Sequence, residues 1–150
     1  MENKNILSEI QTELKAPKGQ RNNFGNYNYR SAEDILEAIK PLLKKHNCAL
    51  VSNDEMVELC GRVYVKTTVM LAFENQPFAS ASAFAREALA KKGMDEAQIT
   101  GSASSYSKKY ALNSLLAIDD TKDADFTNKH GKDSPVTSTK GVATTNNELI

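Results

Sequence analysis

From Arg62 to Phe73 the chain alternates with a period of two, and this stretch limits the fold more than any other. Val63, Val65, Thr67, Val69, Leu71 and Phe73 fall on one side; Tyr64, Lys66, Thr68, Met70 and Ala72 fall on the other. A helix would scatter both sets around its circumference, whereas a strand keeps each on one face. The stretch is rich in β-branched residues, which suit a pleated surface. Glu74-Asn75-Gln76-Pro77 reads as a turn, and Phe78 to Phe84 as the returning strand. So short a connection makes the pair antiparallel. An antiparallel sheet can bury one face under helices and leave the other open. Tyr64, Lys66 and Thr68 are placed on that open face, either as solvated residues or as part of a binding surface.

The flanking segments supply the helices. Ile6, Leu7, Ile10 and Leu14 recur at helical spacing, so a helix is expected over about 5–15, stopped by Pro17 and Gly19. Ser31 caps a second helix, with Asp34 three residues on and an apolar stripe of Ile35, Leu36, Ile39, Leu42 and Leu43. Pro41 inside that stripe removes one helical hydrogen bond and predicts a kink. His46 stands near the helix end, where a positive charge suits the dipole, and the sequence offers it no catalytic partner. Cys48–Ser52 and Met56–Leu59 read as two short strands separated by a turn at Asn53-Asp54. Arg86–Lys92 reads as a short helix, with Lys91 and Lys92 as its solvated end before Gly93.

A third long helix is expected from Asp95 to Ala117, opened by a box-like Asp95 and Gln98 pair with Met94 and Ile99 placed as a staple. Its wheel gathers Ala103, Tyr106, Ser107, Tyr110, Ser114 and Ala117 on one side and Leu112, Leu115 and Leu116 on the other. An ordinary surface helix keeps a broad charged face for water. Here Lys108 and Lys109 emerge from a largely packed helix, which suits gripping a phosphate. The same pattern also reads as a core helix whose two lysines snorkel to solvent. Between Lys15 and Arg30 lies a loop with Lys15, Lys18, Arg21 and Arg30, no acidic residue, and Phe24, Tyr27 and Tyr29 set among Asn and Gly. Bases stack on aromatic rings while cations track phosphates, so interleaving the two suits a sequence-tolerant single-strand site. A plain loop with tucked aromatics fits the same residues.

The chain has 150 residues and a formal net charge of zero, so a nucleic-acid site has to be a local patch within one domain. Two cysteines, Cys48 and Cys60, have neither metal-ligand spacing nor a disulfide pattern, which points to a reducing compartment. The N-terminus lacks the apolar core of a signal peptide, and no run reaches membrane-spanning length. The chain therefore reads as soluble and cytoplasmic. It has no Walker A motif, no Gly-rich dinucleotide loop after a strand, no HExxH and no Cys-x-x-Cys. These absences favour a binding protein over an enzyme, with no cofactor and no resident metal. Asp119, Asp120, Asp123 and Asp125 cluster in sequence, and such carboxylates can hold Mg²⁺ for nuclease chemistry. From Thr127 onward the composition is that of a disordered tail, 127–150, behind a domain of 1–126.

Two blocks carry a family resemblance. The run GSASSYSKKYALNSLLAIDDTKDAD resembles the signature of the ERF (essential recombination function) family of phage single-strand annealing proteins. Asn23 to Asp34, NFGNYNYRSAED, resembles the N-terminal block of that family, and together the matches frame about residues 5–126. Lys108 and Lys109 stand where arginines are frequent in the family, which keeps the charge but loses the bidentate fork. The resemblance implies an α+β fold, a curved antiparallel β-sheet packed against helices, assembled into rings or filaments. It implies single-stranded DNA binding and ATP-independent annealing in phage-type recombination, inside a bacterial host, with a phage exonuclease or host single-strand-binding protein as possible partners. The candidate DNA contacts are Lys108, Lys109, Arg21 and Arg30, then Arg86 and Lys66, with Tyr106 and Tyr110 stacking on bases or packing at a subunit contact. Two other readings stay open: a metal-dependent nuclease built on the Asp119–Asp125 carboxylates, and an adaptor that binds protein through the third helix.

Overall fold

The computed structural model describes residues 5–119. They form an α+β fold of three helices, a three-stranded antiparallel sheet and a two-stranded hairpin. The elements run α1 (Ile6–Glu13), β1 (Gln20–Asn22), β2 (Tyr27–Tyr29), α2 (Ala32–Lys45), β3 (Cys48–Leu59), β4 (Arg62–Phe73), β5 (Gln76–Arg86) and α3 (Glu96–Leu116). The expected tail, 127–150, lies outside the described residues.

The strand with the clearest alternation is the centre of the sheet, in the order β3-β4-β5. Val65, Thr67, Val69 and Leu71 are buried on its helix-facing side. Val69 and Leu71 meet Ile10 of α1, Ile35 and Ile39 of α2, and Ala111, Leu112, Leu115 and Leu116 of α3 in one core. On the opposite face Phe78 and Phe84 of β5 and Val51 of β3 are exposed. Burial of one face by apolar residues from all three helices locks the register, because a one-residue slip would turn Val65, Val69 and Leu71 to water.

Three expected elements are corrected. Asn53-Asp54 is not a turn, since β3 runs unbroken and pairs with β4 from Cys48↔Phe73 to Leu59↔Arg62. A strand tolerates Asp54 here because its carboxylate accepts hydrogen bonds from Thr67 Oγ1 at 2.7 Å and from Ser104 Oγ. Arg86–Lys92 is not helical. Arg86 is the last residue of β5, opposite Tyr64, and the Glu87 N–H donates to Val63 O at 2.8 Å, so sheet pairing overrides the helix-forming composition. The basic loop folds into a hairpin, β1 with β2, whose turn is held by Asn22 Oδ1 accepting from the N–H groups of Phe24 and Gly25. A side chain at Gly25 would strike the Tyr27 ring and force it to shift.

Both expected helix starts form complete capping boxes, Ser31 with Asp34 and Asp95 with Gln98. α2 continues through Pro41 to Lys45. The Asp34 carboxylate accepts the Ser31 N–H at 2.9 Å, and this bond holds its pKa below the ordinary 3.8 against the opposing effect of burial, helped by Gln20 and the Arg30 charge. A depressed carboxylate stabilises the fold above its unfolded pKa and loses that contribution as pH falls through the folded value. Asp34→Ala is therefore expected to cost about 1 kcal/mol at pH 7. The gap between variant and parent closes in denaturant titrations well below pH 3.8. A gap that stays constant into acid would remove the charged cap from the account.

Candidate nucleic-acid interface

Helix α3 divides its surface three ways. Ala103, Ser107 and Ala111 are small and buried, which lets the helix approach the sheet closely. Thr67 and Ser107, both fully buried, share a hydroxyl–hydroxyl hydrogen bond, and Thr67 also donates to Asp54. This polar link explains the Thr in the β4 alternation and the Ser in a core face. Leu112, Leu115 and Leu116 fill the core beside α1 and α2. The third face carries Ser102, Ser105, Tyr106, Lys109, Tyr110 and Asn113, spaced i, i+3, i+4 so that they share one side.

That third face and the β1–β2 hairpin form the walls of an open groove of about 1010 Å³. Asn22, Tyr27, Tyr29 and Arg30 line it from the hairpin side. Lys109 Nζ lies 5.7 Å from the centre of the Tyr29 ring and 5.9 Å from that of Tyr110, so the cation is held between aromatic faces on both walls. The Tyr106 and Tyr110 rings are 5.1 Å apart, tilted by 57°. They also line a second, adjoining hollow of about 430 Å³ together with Phe84 and Arg86 of β5 and with Lys91. The tyrosine pair is thus a ridge between two hollows. Among the described residues, Arg30, Lys91 and Lys109 are the cations that line the larger groove, against one carboxylate, Asp119. A patch of this kind supplies local positive potential although the chain as a whole is neutral.

The expected contact residues separate in space. Lys109, Arg30, Tyr106 and Tyr110 converge on the groove, and Arg86 lies at the adjoining hollow. Lys108 points elsewhere, since successive helical residues diverge by about 100°. Its charge acts on Asp54. Burial pushes the Asp54 carboxyl up, but the hydrogen bonds from Ser104 and Thr67 together with Lys108 outweigh it and hold the pKa below the ordinary value. Arg21 is spent on its own hairpin, donating to Asn28 Oδ1 at 3.1 Å and to Asn26 Oδ1. Lys66 sits over the Phe84 ring at 5.7 Å on the open sheet face, away from the groove walls. Arg30 is positioned by its Nε donating to Ala16 O at 2.7 Å. Phe24 is fully exposed at the hairpin tip. Asp119 lines the groove, while Asp120, Asp123 and Asp125 lie outside the described residues.

Sequence reasoning missed Lys91 and Asn22 in this site. Nothing in the spacing connects Lys91 to a helix face eleven or more positions away. The polar stripe from Ser102 to Asn113 is an i, i+3, i+4 series in the sequence, and it separates Lys109 from its neighbour Lys108. His46 also has partners the sequence does not reveal, Glu9 and Glu13.

Comparison with known proteins gives two matches. The family model described as the ERF superfamily matches residues 4–148. A protein of Salmonella phage P22 named "Essential recombination function protein" is 56% identical over 119 residues, covering 79% of this chain and 57% of that protein. The chain thus spans a little over half the length of that curated relative. No solved structure matches.

Proposed function

The chain belongs to the ERF superfamily, and from that membership we propose that it acts in phage-type recombination by binding single-stranded DNA and annealing complementary strands without ATP. The observation that supports this reading best is the convergence of Arg30, Lys91 and Lys109 with Tyr29, Tyr106 and Tyr110 on one open groove. Cations neutralise phosphates, and exposed rings offer stacking platforms that accept any base. An open groove leaves part of a bound strand facing outward, where a second strand can test for complementarity. Two single strands repel through their phosphates, and the groove cations lower that repulsion.

Several copies side by side, as a ring or a filament, would hold a long strand through many short contacts and gain by effective concentration. The setting of this reading is the cytoplasm of a bacterial host, with a phage exonuclease or a host single-strand-binding protein as partner. No described helix is long and apolar enough to cross a membrane.

The test is strand annealing. Two complementary fluorescent oligonucleotides are mixed with the protein at moderate salt, with neither nucleotide nor Mg²⁺. Duplex formation is expected to accelerate at least tenfold over buffer, with both strands intact. Absence of acceleration, or cleavage once Mg²⁺ is added, would sink the annealing reading.

A further inference from the structure

Away from the groove, His46 stands between two carboxylates. Its Nδ1 is 3.4 Å from Glu9 Oε2 and its Nε2 is 3.2 Å from Glu13 Oε1, with the imidazole only 10% exposed. Glu9 and Glu13 are one turn apart on α1 and share a face. His46 is the C-cap of α2, fixed by its own N–H bonded to Leu42 O at 3.0 Å. One ligand-type atom from each of the three residues lies within 4.8 Å of the other two. Lys45 Nζ holds Glu13 Oε2 at 2.7 Å. The Lys45 hydrogen bond, with a smaller effect from His46, keeps the Glu13 carboxyl below its ordinary pKa despite some desolvation, so it remains an anion at neutral pH.

The two carboxylates approach the ring at its two nitrogens, with hydrogen-bond geometry at Nε2 and a longer contact at Nδ1. Two carboxylates and one imidazole gathered where α1 meets the end of α2 form a ligand set for a cation. We propose that Glu9, Glu13 and His46 bind one divalent transition-metal ion of the Zn²⁺ class, which staples α1 to the end of α2.

The ligand set fits that class. One imidazole nitrogen with two carboxylates suits Zn²⁺, Co²⁺ or Ni²⁺, whereas Mg²⁺ and Ca²⁺ ask for oxygen alone. Ligand atoms about 2.0–2.1 Å from a tetrahedral ion stand about 3.3 Å apart. The Nε2 to Glu13 Oε1 separation of 3.2 Å already meets that edge. Glu9, 48% exposed, has the freedom to bring its oxygen to the same ion, and water fills the fourth position. Lys45 keeps the outer oxygen of Glu13 and offsets part of the charge. The ion closes a link between α1, which follows the chain's N-terminus, and the helix that leads into the sheet.

The experiment uses the full chain and Zn²⁺ alone, in a non-chelating buffer at pH 7.5, read by thermal unfolding and by titration calorimetry. Zn²⁺ is expected to bind one ion per chain and raise Tm by about 5 °C or more at saturating excess, with no such shift from Mg²⁺. Co²⁺ is expected to give visible absorption bands of a low-coordinate site. Glu9→Gln changes an exposed side chain and keeps the fold, so it is expected to abolish the Zn²⁺ shift, as is His46→Gln. The combined Cys48→Ser, Cys60→Ser and His130→Gln variant, which lacks the chain's cysteines and its other histidine, keeps the shift. No shift in the parent protein, a shift that survives Glu9→Gln, one lost with the cysteines and His130, or a fold that responds to pH but not to Zn²⁺ each overturns the site.

Discussion

Lys109→Ala is expected to weaken binding of single-stranded DNA about tenfold, whereas Lys108→Ala changes it by less than about twofold. The two side chains are adjacent in sequence and carry the same charge, so composition and net charge are identical in the two variants. Only direction separates them. Lys109 is flanked by the Tyr29 and Tyr110 rings in the groove, and Lys108 acts on Asp54 over the sheet. A charge-assisted contact to phosphate is worth about 1.5–3 kcal/mol, and about 1.4 kcal/mol is a factor of ten. Removing one phosphate contact also lowers the salt slope of single-strand binding by about 0.7. The measurement is fluorescence anisotropy on a labelled oligonucleotide at several salt concentrations, with thermal melts to show that both variants fold. Lys109→Arg retains most of the affinity, since the charge stays at the same place. Equal losses in the two alanine variants would mean that the strand does not follow the groove.

The same pair of lysines shows how much of this protein is legible in its sequence. A period of two placed β4 to the residue, and box residues placed the starts of α2 and α3, because these signals are local and the structure satisfies them locally. The α+β architecture follows from them. Asn53-Asp54 misleads because the partners that satisfy Asp54 in a strand, Thr67 and Ser104, are 13 and 50 residues away. Arg86–Lys92 misleads because its helix-forming residues lose to a ladder bond with Val63 that only the folded sheet supplies. Within the site, Arg30, Lys109, Tyr106 and Tyr110 were identifiable as residue types suited to a nucleic acid. Their meeting with Lys91, and the diversion of Arg21 and Lys108 to partners in the chain itself, depend on how the hairpin and α3 close on each other. Sequence names candidate chemistry; tertiary packing decides which candidates share a surface.

Replacing Tyr106 and Tyr110 together by alanine is expected to reduce single-strand affinity about a hundredfold while leaving the fold intact. Tyr106 is 57% exposed and Tyr110 is 40% exposed, so their rings contribute little to the core. Exposed substitutions usually change stability by about 0.5 kcal/mol or less, and loss of the ring pair adds about 0.5–1.5 kcal/mol. A base stacked on an aromatic ring is worth about 1–3 kcal/mol, so two rings account for a hundredfold loss. The salt slope stays unchanged, because no phosphate contact is lost. This separates the tyrosines from Lys109, whose removal lowers affinity and slope together. Tyr106→Phe with Tyr110→Phe keeps the ring faces and is expected to bind within about threefold of the parent, since stacking does not use the hydroxyl. If the ridge instead packs against a neighbouring copy, the alanine pair lowers the mass of the DNA-free particle in light scattering and loses affinity only through lost assembly. Alanine variants that assemble normally and bind poorly, beside phenylalanine variants that bind well, would assign the ridge to the bases.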